Sequence, residues 1–330
     1  MKKYTLTIIY SLLLTGFTVY MLLDTFVIPR AVAVAEPQTT VESDTETTDS
    51  SESSEPGTVS SGTEPPDSEP VTAASETSDS EPVTETSETA ESEPASEETQ
   101  ITISTYREYD TTIYVADIVL GSSDTIKTAL AKGMYGKNIK DETSEIAEGV
   151  DAILAINGDF YGSRETGYCI RNGVLYRATA NRDAEDLVIY SDGSFEIINE
   201  SEITAEELLE KGAWQVLSFG PALVENGTVS VSESDEVGKA MASNPRTAIC
   251  YMGENHYLFI VSDGRTDESE GLSLYQLACF AASLGAETVY NLDGGGSSTM
   301  YYDGEVINTP VSGRRSSGER SVSDIVYISY

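Results

Sequence analysis

Residues 36–100 set the first limit on what this 330-residue chain can fold into. The stretch carries 19 acidic side chains, no basic one and no aromatic, and it is rich in Ser, Thr and Pro. Such a composition cannot bury enough apolar surface to offset the entropy of ordering it. It also repeats itself, since Ser68-Glu69-Pro70-Val71-Thr72 recurs as Ser80-Glu81-Pro82-Val83-Thr84. Residues 36–100 are therefore expected to form a disordered acidic linker. Folded structure is left to residues 101–330, enough chain for one substantial core.

Ahead of the linker, residues 1–35 read as an export segment. Lys2 and Lys3 precede an uncharged run from Tyr4 to Leu23, about the 20 residues that a helix needs to cross a bilayer. The lysines favour a cytoplasmic N-terminus, which puts everything after the run outside. Ala31-Val32-Ala33-Val34-Ala35 also offers small residues at signal-peptidase spacing. Two outcomes follow: a single-pass anchor in the cell membrane, or a cleaved leader and a secreted domain. Both export residues 101–330.

The formal charge of −37 excludes a nucleic-acid binder that works by neutralising phosphates. A single histidine excludes a metal site of the HExxH kind. Cys169, Cys250 and Cys279 lie too far apart for a CxxC motif or a zinc ribbon, and Cys250 and Cys279 sit in apolar runs as buried thiols. No metal or organic cofactor is called for. Calcium held by Asp263, Asp267, Glu268 and Glu270 is an alternative, although their spacing does not match an EF-hand loop.

Alternating β-branched runs at 101–109 and 112–120 predict strands, and Ala152 to Ile156 is a continuous apolar run of buried-strand type. Asn172-Gly173, Asp192-Gly193 and Asn226-Gly227 mark hairpin turns. Residues 247–252 and 256–261 form a further hairpin. A helix over 273–284 starts on a Ser273/Gln276 capping box and stops at Gly285, and 287–291 is a strand. Strand, helix and strand in that order predict a βαβ crossover with parallel strands. The fold class is α+β: a mixed sheet with hairpins and at least one βαβ crossover, in a single globular domain.

Three apolar runs switch abruptly to Asn, Asp and Gly: Asn157-Gly158-Asp159, Ser262-Asp263-Gly264-Arg265, and Asn291-Leu292-Asp293-Gly294-Gly295-Gly296-Ser297-Ser298. Each alone is an ordinary turn signal. If the strands are neighbours, Asp159, Asp263 and Asp293 converge with Arg265 in one crevice. Three glycines followed by hydroxyls let backbone approach an anion, and the lack of a P-loop lysine leaves a nucleotide fold unsupported. His256, beside the turn at 253–255, falls at the far end of its strand from this crevice.

Together with Asn244-Pro245-Arg246-Thr247, Gly271-Leu272-Ser273-Leu274, Ser218-Phe219-Gly220-Pro221 and Glu319-Arg320, these segments resemble the phosphodiester glycosidase family, which includes the mannose 6-phosphate uncovering enzyme. The resemblance covers roughly residues 110–330. It implies hydrolysis of a sugar joined through its anomeric carbon to a phosphate diester, with a sugar and a phosphomonoester as products. On that reading Arg246 and Arg265 take the phosphate, with the Gly294, Gly295 and Gly296 amides and the Ser297 and Ser298 hydroxyls. Asp293 and Asp159 are the carboxylates for water activation or nucleophilic attack. Asn157 and Asn291 orient sugar hydroxyls, and Asp263 holds an arginine. The expected substrate is a phosphoglycan or sugar phosphate of the cell envelope. The competing reading is a glycan-binding module without catalysis on a membrane-tethered stalk.

Overall fold

The computed structural model describes residues 2–31, 98–122, 124–233, 243–313 and 317–329, except the side chains of 2–9 and 25–26. The expected linker, apart from residues 98–100, lies outside the described residues. Lys2–Phe26 is helical, and its described side chains include exposed Leu12, Leu13 and Phe17. Over the described residues no helix is long and apolar enough to cross a membrane, which leaves the expected single-pass anchor without structural support.

The remainder is mostly β. A seven-stranded sheet runs in the order Thr228–Val229, Ala222–Glu225, Thr288–Asn291, Arg246–Gly253, His256–Ser262, Thr111–Val119, Gln100–Glu108. A five-stranded sheet is ordered Glu305–Val306, Met300–Tyr302, Leu154–Asn157, Asp324–Ile328, Lys127–Leu130. A second five-stranded sheet is ordered Phe195–Asn199, Glu185–Tyr190, Ala213–Leu217, Cys169–Arg171, Val174–Arg177. Asn172-Gly173 and Asn226-Gly227 close hairpins with positive φ at all four residues, the geometry that these pairs tolerate best.

Strand alternation explains how the sheets stack. Ile249, Phe259 and Val261 of the large sheet meet Ile156 and Val326 of one small sheet and Leu187 and Leu217 of the other in a shared core. Their neighbours Ala248, Cys250, Leu258 and Ile260 face the opposite way, onto Leu274, Leu277 and Ala281 of the helix Leu274–Ser283. That helix has its Ser273/Gln276 capping box and ends before Gly285, whose φ is +90°. The helices Thr143–Gly149 and Ala205–Glu210 cover the outer faces of the two small sheets in the same way. Three sheets thus share one interior, and each carries one helix outside.

The expected parallel crossover is not formed as a pair. His256–Ser262 and Thr288–Asn291 are joined by the helix but do not touch: Arg246–Gly253 lies between them, antiparallel to both. The tight hairpin at 253–255 gives that strand the neighbouring position, so the helix passes over it. Every ladder between named strands is antiparallel.

A buried charge cluster ties the two small sheets together. The Arg171 Nε donates to Asp324 Oδ2 at 2.8 Å, and its Nη2 pairs with Asp159 Oδ2 at 2.8 Å. Nη1 donates to the carbonyls of Ile170 and Val216. Two carboxylates on one guanidinium leave excess negative charge in a dry interior. Burial pushes the Asp324 carboxyl up to about 8, against the opposing pull of Arg171. Nearby, burial and the neighbouring Glu200 carboxyl push Asp186 up to about 9. Cys169 and Cys250 are buried free thiols and Cys279 is a partly buried one.

Removing one partner of a buried pair leaves the other charge stranded, at a cost of about 3–5 kcal/mol. Arg171→Met is therefore expected to lower stability by about that amount in chemical denaturation, with the Asp159 carboxylate left without its cation. The raised carboxyls also set a sign for pH. Between about pH 4 and about pH 9 they hold protons in the folded chain and lose them in the unfolded one, so stability falls as pH rises. Thermal melts across that range should show a falling midpoint, and Asp186→Asn should flatten the slope.

Candidate active site

Antiparallel order brings strand ends and strand starts to one rim. In the large sheet Arg246 opens its strand opposite Ser262, while Ala248 pairs with Asn291, so the loops at 263 and 292 flank residues 244–246. In the small sheet Asn157 ends its strand opposite Ile325, and Met300 starts one opposite Ile156. The segment from Leu292 to Thr299 therefore leaves one sheet and enters the other. It is pinned along the way: Leu292 N donates to Thr247 O at 2.9 Å, Asp293 N to Gly158 O at 3.4 Å, and Gly295 N to Pro245 O at 2.7 Å. Asp159, Arg246 and Asp293 all belong to this rim.

Asp293 stands at its centre. Its Oδ2 accepts from Ser297 Oγ at 2.7 Å and from Arg320 Nη2 at 2.8 Å, and Arg320 Nη2 also donates to Gly294 O at 3.2 Å. Asp293 Oδ1 accepts no hydrogen bond among the described residues, and the side chain keeps 12 % of its surface exposed. The Arg320 side chain is 42 % exposed, so it pairs with Asp293 while part of the guanidinium faces outward. The segment carrying Arg320 is clamped to the helix Thr143–Gly149. Glu319 accepts from Ser144 N at 3.1 Å and Ser144 Oγ at 2.5 Å, and Val322 pairs with Asp141 across an antiparallel bridge.

The other carboxylates are fully engaged. Asp159 Oδ1 accepts from Tyr161 N at 2.8 Å, and its Oδ2 accepts from Ser218 N at 2.9 Å while pairing with Arg171. The expectation that Asp263 holds an arginine is corrected: its Oδ1 accepts from Thr309 N at 2.8 Å and Asn308 Nδ2 at 3.3 Å, and its Oδ2 from Tyr114. Asp263 is buried, so it anchors the loop after the last strands of the rim. Asp267, Glu268 and Glu270 are exposed, and among the described residues no three acidic, His or Cys side chains gather as a metal site.

The two asparagines differ as well. Asn157 is wholly buried. Its Nδ2 donates to Asp293 O at 2.6 Å, and its Oδ1 accepts from Thr247 Oγ1 at 2.8 Å and Thr299 N at 3.3 Å. A side chain so placed knits the rim together and is not available to sugar hydroxyls. Asn291 Nδ2 donates to Gly220 O at 2.7 Å, while its Oδ1 is buried without a partner among the described residues. Ser298 Oγ is likewise buried and unpartnered, and Ser297 Oγ is taken by Asp293 and Arg320.

The arginines expected on the phosphate do meet the glycine segment. A Cβ on Gly295 would lie 2.8 Å from Arg265 Nη2, and one on Gly294 would lie 3.8 Å from the Arg246 side chain and 3.0 Å from Pro245 O. Glycine suits both positions because the φ of Gly295 is +66° and the Pro245 carbonyl crowds Gly294. Arg265 is exposed and donates twice to Asn244 Oδ1, at 2.9 and 3.2 Å; Arg246 is buried and donates from Nε to Leu272 O at 2.9 Å. The Gly295 amide is spent on Pro245, and the Ser297 and Ser298 amides donate within the 3-10 turn. This leaves Gly294 and Gly296 as the amides of the expected cradle.

Two basic residues of the rim were not singled out from sequence as ligand contacts. Arg320 had its signal in the Glu319-Arg320 pair. Lys140 had none, because it precedes the rim by many residues and lies in no motif. Its Nζ sits 5.0 Å from the centroid of the Phe160 ring, and burial and the Arg320 charge lower its pKa against the opposing pull of Asp293. His256 lies at the far end of the sheet, paired with Asp117 at 2.9 Å.

The chain is 29% identical over 201 residues to the SPbeta prophage-derived uncharacterized protein YomE of Bacillus subtilis (strain 168), covering 59% of this chain and 31% of that one. It is 29% identical over 175 residues to N-acetylglucosamine-1-phosphodiester alpha-N-acetylglucosaminidase of Mus musculus, covering 48% of this chain and 33% of that one. It thus spans about a third of the length of these relatives. The fold matches the catalytic domain of the zebrafish enzyme of the same name, auto-inhibited by its pro-peptide, with a TM-score of 0.56 at 20% identity over 71% of this chain and 83% of that one. A hypothetical protein from Synechocystis matches with a TM-score of 0.52 at 12% identity, over 70% and 62% of the two chains. The profile of the phosphodiester glycosidase family matches residues 151–329, more than half of the sequence, and the chain belongs to that family.

Proposed function

We propose that this protein hydrolyses a glycosyl phosphodiester, releasing a sugar and a phosphomonoester, and that Asp293 is its reactive carboxylate. The observation that carries this reading is the contrast among the three aspartates of the rim. Asp159 and Asp263 have both oxygens occupied by structural donors, whereas Asp293 keeps Oδ1 open beside an outward-facing Arg320. Phosphate is a good leaving group, since its monoesters still lose protons near pH 6, so no histidine acid is needed. Two charges remain to be stabilised: positive charge on the sugar ring and negative charge on the departing phosphate.

Asp293 Oδ1 serves the first, by attack at the anomeric carbon or by activating water against it. Arg320 and Arg265, with the Gly294 and Gly296 amides, serve the second. Arg246 braces the glycine segment from below. Ser297 orients Asp293, and Asn291 offers its unpaired oxygen to a sugar hydroxyl. Asp159 is a positioning residue that fixes the turn carrying Phe160 and Tyr161. Glu319 is another, acting through Arg320. A phosphoglycan of the cell envelope is the proposed physiological substrate, reached by export through the N-terminal segment, with residues 36–100 as an acidic spacer. The mouse relative's name supplies the first probe, an N-acetylglucosamine-1-phosphodiester.

Asp293→Asn is expected to lower kcat by about 10²–10⁴-fold on that probe, with an unchanged thermal midpoint. Full activity in this variant removes Asp293 from the mechanism, and binding without product in the wild type favours the glycan-binding module. Asp159→Asn should instead lower stability, because it removes one of the two buried acidic partners of Arg171. Glu319→Gln should lower kcat about tenfold while leaving KM near the wild-type value, as expected for a group that aims Arg320 at the transition state.

A further inference from the structure

Lys140 is an anomaly in so acidic a protein. Residues 101–330 hold 36 acidic and 16 basic side chains, yet the half-buried Lys140 ammonium makes no ion pair among the described residues. Lys137, three residues earlier, is paired with Glu165 at 2.7 Å. An ammonium taken partly from water loses hydration, and it is normally compensated by a carboxylate. Here the charges that act on it are a second cation, Arg320, and Asp293, whose Oδ2 is already committed to Arg320.

Its position is fixed from both sides. The Asp141–Val322 bridge, with N to O distances of 3.0 and 2.7 Å, holds the neighbouring backbone to the segment that carries Arg320. The Phe160 ring supports the amine at 5.0 Å, a contact that uses the ring face and no hydrogen-bond donor of the ammonium. Arg265, Arg246 and Arg320 are the cations at the Gly294–Gly295 backbone, whereas Lys140 is seated on Phe160, next to the turn that follows Asp159.

We infer that Lys140, seated on Phe160, is a specificity residue that binds a second anionic group of the ligand, a phosphate or carboxylate beyond the phosphodiester that is cleaved. The inference deepens the glycosyl phosphodiester reading and rests on it for the placing of the first phosphate. It makes the preferred ligand a polyanion: either a chain of phosphodiesters or a sugar bearing its own acid. A preorganised cation of this kind adds affinity for the charged ligand and little for its neutral counterpart.

Calorimetric titration of the intact chain tests this without turnover. The probes are two pairs that differ by one anionic group: methyl phosphate against glycerol 1,3-bisphosphate, and galactose 1-phosphate against galacturonic acid 1-phosphate. In at least one pair the more charged member should bind about tenfold tighter. Lys140→Gln should abolish that preference without changing the affinity for the less charged member, and Lys140→Arg should keep it. The pair that responds tells whether the second anion lies on the phosphate side or on the sugar. The inference is overturned if neither pair shows a preference, or if Lys140→Gln leaves it intact or weakens both members equally. Failure of the wild type to cleave any glycosyl phosphodiester, with the Lys140-dependent preference intact, would overturn the proposed reaction alone.

Discussion

The buried Arg171 is the constraint on which the rest of the architecture depends. One guanidinium receives carboxylates from a strand of one small sheet and from the turn after another of its strands, while sitting itself on the second small sheet. Hydrophobic contact between the sheets is non-directional and would tolerate sliding. A fork that must meet two carboxylates and two carbonyls does not. This fixes the turn at Gly158 and Asp159, and through the Asp293 N to Gly158 O contact it fixes the glycine segment above it. The rim inherits its accuracy from a charge cluster whose carboxylates are spent on structural donors.

That division of labour explains why three aspartates with the same sequence signature play different parts. Each follows an apolar strand and stands beside a glycine. What separates them is how many donors the surrounding loops supply: three for Asp159, three for Asp263, two for Asp293, the last two both on one oxygen. Donor supply depends on which backbones pass nearby, and that is a property of the assembled rim.

Legibility followed the range of the interactions. Hairpins at Asn172-Gly173 and Asn226-Gly227 and the capping box at Ser273 are local devices, and their residues announce them. That the loops of Asp159 and Asp293 adjoin was also readable, because each follows an abrupt change from apolar to polar. Strand adjacency was not: nothing in residues 256–291 tells that residues 246–253 occupy the space between the two strands. Lys140 was invisible for a related reason, since Phe160 and Arg320 are far from it in sequence and the Asp141–Val322 bridge that joins its segment to that of Arg320 is long-range. Asn157 was misjudged because an asparagine facing a sugar and one stitching three loops have the same sequence surroundings.

The segment from Leu292 to Thr299 has one further consequence. It spans the gap between two sheets whose separation is set elsewhere, and Gly294, Gly295 and Gly296 are each hemmed in by Pro245, Arg265 or Ser312. Its length behaves like that of a rung between two rails: an added or deleted residue has nowhere to bulge. Diversification within such an architecture must come from exchanging side chains around the rung, in neighbouring loops whose lengths are free, and not from remodelling the rung itself.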